Sequence, residues 1–156
     1  PTLEAVCDPA ALEAEVIGEA DFEAFFALYG GKGEKVDVVV FSAPQLSLLE
    51  MRQLAELLDG KKIHAATALL AVTSPVVAAD ARRLGLVERI ESSGGLVLEG
   101  MCFYQSYARE MGEANGWQRL LTNSVKLANI IGGYGYQPTL ASMENCVASA
   151  IAGEIV

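Results

Sequence analysis

The sequence predicts an α/β domain of three layers, a mostly parallel sheet flanked by helices. Three observations predict it. Two continuous apolar and β-branched runs, "KVDVVVFSA" and "HAATALLAVT", lack the alternation of a half-exposed strand and read as strands covered on both faces. Each run reaches a short polar hinge and passes straight into a helical pattern. A third run, "GGLVLEGM", follows the second helical stretch, so the chain repeats strand, helix, strand, which right-handed crossovers turn into a parallel sheet.

The elements follow in order. Residues 1–34 read as a helical lead-in, with a helix from about Asp21 to Leu28, Asp21 as its cap and "YGGKG" as its stop. Residues 35–156 form the α/β domain. After the first strand, Ser47 with Glu50 three positions on makes a capping box that opens a helix running to Leu58. Its apolar positions Leu48, Met51, Leu54 and Leu58 share one face, as a helix lying on a sheet requires. After the second strand, Ser74 is the candidate cap and Pro75 takes the first helical position, where a missing N–H costs nothing. That helix runs to Leu84 and stops at Gly85, and a short helical segment continues to about Ser92. Beyond Cys102 the pattern is helical but looser: "NSVKLANII" is a helix broken at "GGYGYQP", and "SMENCVASAIAG" is the last helix.

Composition narrows the function classes. With 52% hydrophobic and 20% charged residues, the 156-residue chain has ample material for a core. A net charge of −9 argues against nucleic acid or an anionic membrane as the main partner. No apolar run approaches the roughly 18 residues of a membrane span, and the N-terminus has no secretory pattern. The chain opens on Pro1 without a methionine, as a processed or excised chain would. Cys7, Cys102 and Cys146 are too few and too scattered for a disulfide framework, and their odd number suits a reducing, cytoplasmic location. Taken singly, each reads as a small buried apolar residue.

This architecture directs attention to one edge. In open α/β sheets, ligands lie beyond the carboxyl ends of the strands. There the strands deliver Ser42, Ala43, Pro44 and Gln45, then Thr73 and Ser74, then Met101 and Cys102. Helices starting near Ser47 and Ser74 aim N–H groups at the same edge, which favours a carboxylate or phosphate, although caps alone also explain these hydroxyls. His64, the single histidine, falls at the opposite end.

Five stretches carry a resemblance. "PTLEA", "DVVVFSAPQLSLLEMRQLAELLDGKK", "GMC", "LTNSVKLANIIGG" and "ASMENCVASAIAGE", in this order, resemble the C-terminal part of the catalytic large subunit or domain of the aconitase X family. That family shows a Gly-(Cys, Ser or Thr)-Pro-His-x-Ser hinge, a strand ending in Cys, a Thr-Asn-Ser-x-Lys segment and a Ser-Leu-Glu-x-Cys helix start. The resemblance implies an aconitase-like fold and a hydro-lyase that uses an iron–sulfur cluster, dehydrating cis-3-hydroxy-L-proline or mevalonate 5-phosphate. It implies Cys102 and Cys146 as cluster ligands, since such clusters are held by thiolates; Cys7 has no counterpart in the pattern.

The same resemblance makes Ser47, Ser124 and Lys126 the expected catalytic side chains. Ser42, Gln45, Thr73, Ser74, Thr122 and Asn123 are the expected substrate contacts, and Lys126 read by itself is equally a solvated surface charge. It further implies partners: the remaining segment of the large subunit and a small swivelling subunit or domain, without which this chain is inactive, and a small anionic hydroxy acid as substrate. Three departures stand out. Ala43 and Gln45 replace the hinge residue and its histidine, and Asn129 stands where a histidine is often found. Alanine cannot ligate iron and glutamine does not titrate near neutrality. The departures leave two alternatives beside the hydroxyproline-type reading: a mevalonate 5-phosphate-type subunit, or a non-catalytic α/β binding or assembly subunit.

Overall fold

The computed structural model describes residues 2–8 and 15–156. The described chain begins with α1 (Leu3–Val6) and α2 (Glu19–Ala27). There follow β1 (Val38–Leu46), α3 (Leu48–Leu58), β2 (Ala68–Thr73), α4 (Pro75–Arg83), α5 (Leu86–Ser92) and β3 (Leu96–Glu99). The last part holds α6 (Ala108–Asn115), β4 (Arg119–Thr122), α7 (Val125–Ile131), β5 (Gln137–Leu140) and α8 (Met143–Ala152). All strand pairs are parallel, and the five strands lie in the order β3-β2-β1-β4-β5.

The three-layer α/β expectation holds, and the strand count is corrected from three to five. β4 and β5 each have four residues, "RLLT" and "QPTL", too short to display a period. Pro138 further masks β5; it is tolerated because β5 is the sheet edge, where one side of the ladder needs no donor. The helix placed at Asp21–Leu28 runs instead over Glu19–Ala27. Asp21 lies inside it and accepts a 2.8 Å hydrogen bond from the Gly18 N–H, reaching back to the helix start rather than capping from in front. The first strand continues through the expected hinge, since Pro44 and Gln45 belong to β1. Gly85, expected as a stop, takes φ +70° and turns the chain from α4 into α5.

β1 explains its own sequence. Val39 and Phe41 face the layer formed with α3, α5 and α8, while Val38 and Val40 face the layer of α6, α7 and Phe103. A strand sandwiched between two helical layers has no solvent face, so its residues are apolar without alternation. α3 adds Met51, Leu54, Ala55 and Leu58 to the first layer and keeps Arg52 and Gln53 outside. Leu127 and Ile131 of α7 join the second.

Candidate functional site

The helices that follow adjacent strands β1 and β4 leave on opposite faces, α3 to one layer and α7 to the other. In open α/β sheets such a divergence leaves a crevice beyond the carboxyl ends of the two strands, where ligands are held. Here Ser42, Ala43, Thr122 and Ser124 are buried beneath that edge, while Gln45, Asn123 and Lys126 reach its surface. Its walls are the β1 end, Ser42 to Gln45, and the β4 end, Thr122 to Lys126.

Hydrogen bonds lock these walls together. The Thr122 hydroxyl donates to the Val40 carbonyl at 2.7 Å and accepts from the Ser124 N–H at 3.1 Å. The Ser124 hydroxyl donates to the Ala43 carbonyl at 2.6 Å and accepts from the Leu127 N–H, capping α7. Ala43 itself sits at φ +57°, a left-handed conformation that a side chain disfavours. It is buried beside Phe103 and Leu127, with a cis bond to Pro44. The loop after β3 closes a third side: the Phe103 N–H donates to the Ser42 hydroxyl at 3.4 Å, and Gln45 Nε2 donates to the Met101 carbonyl at 2.9 Å. Cys102, half-buried, lies between these two ties.

Lys126 is exposed, and its Nζ stands 5.8 Å from the centroid of the Tyr104 ring, which meets Tyr134 edge-on. The ring quadrupole attracts the ammonium and biases where it points. The motif pointed to Lys126 but not to Tyr104, whose available signal was an aromatic two residues past Cys102. That cysteine, expected at the end of the third strand, lies in the loop after β3, which ends at Glu99. Asn123, half-buried, and Asn129, exposed, flank the same segment.

Other expected site residues have structural duties. Ser47 donates its hydroxyl to the Glu50 carboxylate at 2.7 Å, while its own N–H donates to the same carboxylate at 2.8 Å. The start of α3 is thus already met by an anion, the Glu50 side chain, and a substrate would have to displace it. Thr73 is fully buried and donates to the Leu46 carbonyl at 2.7 Å, stitching β2 to β1. Ser74 accepts from the Val77 N–H at 3.2 Å as the cap of α4. These three flank the β1–β2 side, whereas Ser42, Ala43, Thr122, Asn123, Ser124 and Lys126 gather at the crevice. His64 sits before β2, at the far edge, accepting from the Ala66 N–H. A groove of about 320 Å³ beside Trp117, Gln118 and Tyr136 also lies at that far edge, by the amino ends of β4 and β5, and takes in none of the expected site residues.

The residues present do not by themselves compose an iron–sulfur site. Cys146 is wholly buried in the α3–α5–α8 layer, where its thiol points to the Ala141 carbonyl at 3.7 Å. Burial, with the nearby Glu144 charge adding to it, pushes that thiol well above the usual range, toward the protonated form that does not bind iron. Among the described residues, no group of three or more His, Cys, Asp or Glu side chains is placed to hold a metal ion. Nor does any buried side-chain nitrogen or oxygen among them lack a partner.

Comparison with known proteins decides the family. The family model for the aconitase X third domain matches residues 36–152. The chain belongs to the aconitase X family. The phosphomevalonate dehydratase large subunit of Thermococcus kodakarensis is 29% identical over 148 residues, 94% of this chain and 36% of that protein. The cis-3-hydroxy-L-proline dehydratase of Pseudomonas aeruginosa is 30% identical over 120 residues, 76% of this chain and 20% of that protein. The crystal structure of Thermococcus kodakaraensis aconitase X in its holo-form superposes with a TM-score of 0.75 at 27% identity, covering 86% of this chain and 33% of that one. This aconitase X chain therefore spans about a third of the first of these relatives. Its homologues are dehydratases, and the Thr-Asn-Ser-x-Lys segment of the aconitase X resemblance is the β4 wall of the crevice.

Proposed function

We propose that the chain is the third-domain component of an aconitase X-type hydro-lyase, taking water from a small anionic hydroxy acid of the cis-3-hydroxy-L-proline kind. The observation that supports this reading is the pair of hydrogen bonds through Thr122 and Ser124 that join the β1 end, with the hinge at Ala43, to the segment bearing Lys126 at the carboxyl edge of the sheet. Dehydration removes a proton from one carbon and a hydroxyl from its neighbour, so the substrate must be held by a group that does not react. A fixed cation meeting its carboxylate does this. In this proposal Lys126 is that cation, with Asn123 beside it. Ser124 holds the β1 hinge in place, and Ser42 and Gln45 order the loop that carries Cys102. Ser47, Thr73 and Ser74 contribute rigidity instead of contacts with the reacting atoms.

Cys102 is the thiol of this chain suited to a cluster, since it is half-exposed at the crevice; further thiolates come from elsewhere in the assembly. Cys146 joins them only if its burial is relieved. The lead-in to residue 34 and the α/β domain from residue 35 form the working division of the chain, and its setting is cytoplasmic. No helix among the described residues is long and apolar enough to cross a membrane. The rest of a large subunit and a small swivelling subunit complete the enzyme. A second reading, mevalonate 5-phosphate as substrate, is favoured by the alignment across 94% of the chain with a phosphomevalonate dehydratase large subunit.

The test is co-expression with the remaining large-subunit segment and a small subunit, followed by iron analysis and dehydration assays on both substrates. Activity on either should fall about a hundredfold or more in Lys126→Ala, mostly in KM, with partial recovery in Lys126→Arg; a fixed cation is worth roughly 3 kcal/mol in such sites. An iron-loaded assembly inactive on both substrates would overturn the hydro-lyase reading in favour of a non-catalytic subunit.

A further inference from the structure

We infer that the face formed by residues 15–17, by α2 and by the first residue of α7 is the docking surface for the remaining portion of an aconitase X-type large subunit. α2 has no buried residue, although it carries Phe22, Phe25 and Phe26. A nine-residue helix gains little from hydrogen bonding alone and is ordinarily held by burying an apolar side. Here that side faces outward, with Phe22 58% and Phe26 42% exposed, and just ahead of the helix Ile17 is 69% and Val16 87% exposed. These residues are not scattered. Val16, Ile17, Phe22, Phe25 and Val125 line one groove of about 320 Å³. A contiguous apolar patch of this kind, rimmed by polar groups, marks a surface that a partner covers.

Three facts identify the occupant. The family model begins at residue 36, yet the alignment with the Thermococcus kodakarensis large subunit takes in 94% of the chain and so extends well into the residues before it. The lead-in is therefore shared with large subunits while lying outside the third domain proper. About two thirds of that relative has no counterpart in this chain. Val125 follows Ser124 directly, so whatever fills the groove abuts the β1–β4 crevice and walls it. Glu15 and Asp21 line the same groove, with Glu19 and Glu23 exposed nearby. The matching face is accordingly apolar with basic groups at its margin. The inference rests on family membership and not on the proposed dehydration, and its readout is binding, so either can fail alone.

The experiment begins with the whole chain alone in sedimentation equilibrium, then co-expresses it with the segment of the Thermococcus kodakarensis large subunit that it does not match. The expected result is a monomer alone and a one-to-one complex on co-expression. Recovery of that complex should drop at least tenfold for the Ile17→Ser/Phe22→Ser variant and stay unchanged for Leu49→Glu, an exposed position on α3. Because the changed residues lie outside the core, thermal unfolding of the variant should match the unchanged chain, which separates lost docking from lost fold. A dimer dissolved by the double substitution would make a second copy the occupant and overturn the inference. So would a complex indifferent to Ile17 and Phe22, or no complex at all.

Discussion

Ser124 is the residue on which the crevice turns. Its hydroxyl caps α7 and at the same time satisfies the carbonyl of Ala43, eighty-one positions earlier, inside the protein. Ser124→Ala removes a cap, worth roughly 1 kcal/mol. It also leaves a buried carbonyl without its donor, at about 1–2 kcal/mol. Urea denaturation should therefore show a loss of roughly 2–3 kcal/mol with an unchanged m-value. A loss below about 0.5 kcal/mol would mean that the two strand ends are not coupled through this hydroxyl. The two cysteines differ in a way that labelling can read. Iodoacetamide needs a thiolate it can reach, and Cys102 is half-exposed whereas Cys146 is buried with its thiol pushed up. In a Cys7→Ser background at about pH 8, mass spectrometry should find Cys102 alkylated in the native chain and Cys146 only after denaturation. Equal labelling of both in the native chain would contradict the burial of Cys146.

At the scale of elements, β4 is tied to β1 at both ends. At the carboxyl end the tie is the Thr122–Val40 bond. At the other end Asp37 accepts from the Gln118 and Arg119 N–H groups, each at 2.9 Å, and pairs with Lys35 at 2.6 Å. Burial works to raise the Asp37 carboxyl, but those two N–H groups and Lys35 outweigh it and hold the group below its ordinary value. A carboxyl depressed in the folded state stabilises the fold at every pH above the unfolded value near 4, and that stabilisation fades as pH falls through the lower folded value. Stability should thus decline from about pH 4 downward, and Asp37→Asn should flatten the decline while lowering stability at neutrality. Denaturation midpoints across that range are the check; an identical acid slope in both proteins would remove Asp37 from the account. These ties explain how a four-residue strand persists, since one end of β4 is held by the distant Asp37 carboxylate and the other by its own Thr122 hydroxyl bonded to the distant Val40 carbonyl.

At the scale of the whole molecule, the strand order creates the site. With β1 in the centre and the chain crossing from β3 at one edge to β4 on the far side, neighbouring strands send their helices to opposite layers. The crevice exists only because of that crossing. Several parts were readable beforehand because their signals are local. The Ser47–Glu50 box depends on a three-residue spacing, the buried character of β1 and β2 on unbroken branched runs, and the start of α4 on Ser74 and Pro75. β4 and β5 were not readable, since "RLLT" and "QPTL" are strands by virtue of their neighbours and carry no period of their own. The separation of the expected site residues was hidden for the same reason: Ser47 and Ser124 are alike as caps, and only the path of the chain puts one at the crevice and the other beside it.

The order of residues alone therefore determined the layered α/β class, the caps, the two central strands and the family motifs, because each is written within a dozen positions of the chain. Tertiary structure decided that five strands pair, that the β1 and β4 ends face one another, and that Cys102 lies at the crevice while Cys146 is enclosed. The physical reason is that pairing and burial belong to contacts between segments some eighty residues apart, such as Ser124 with Ala43, and no local pattern encodes which distant segment will arrive.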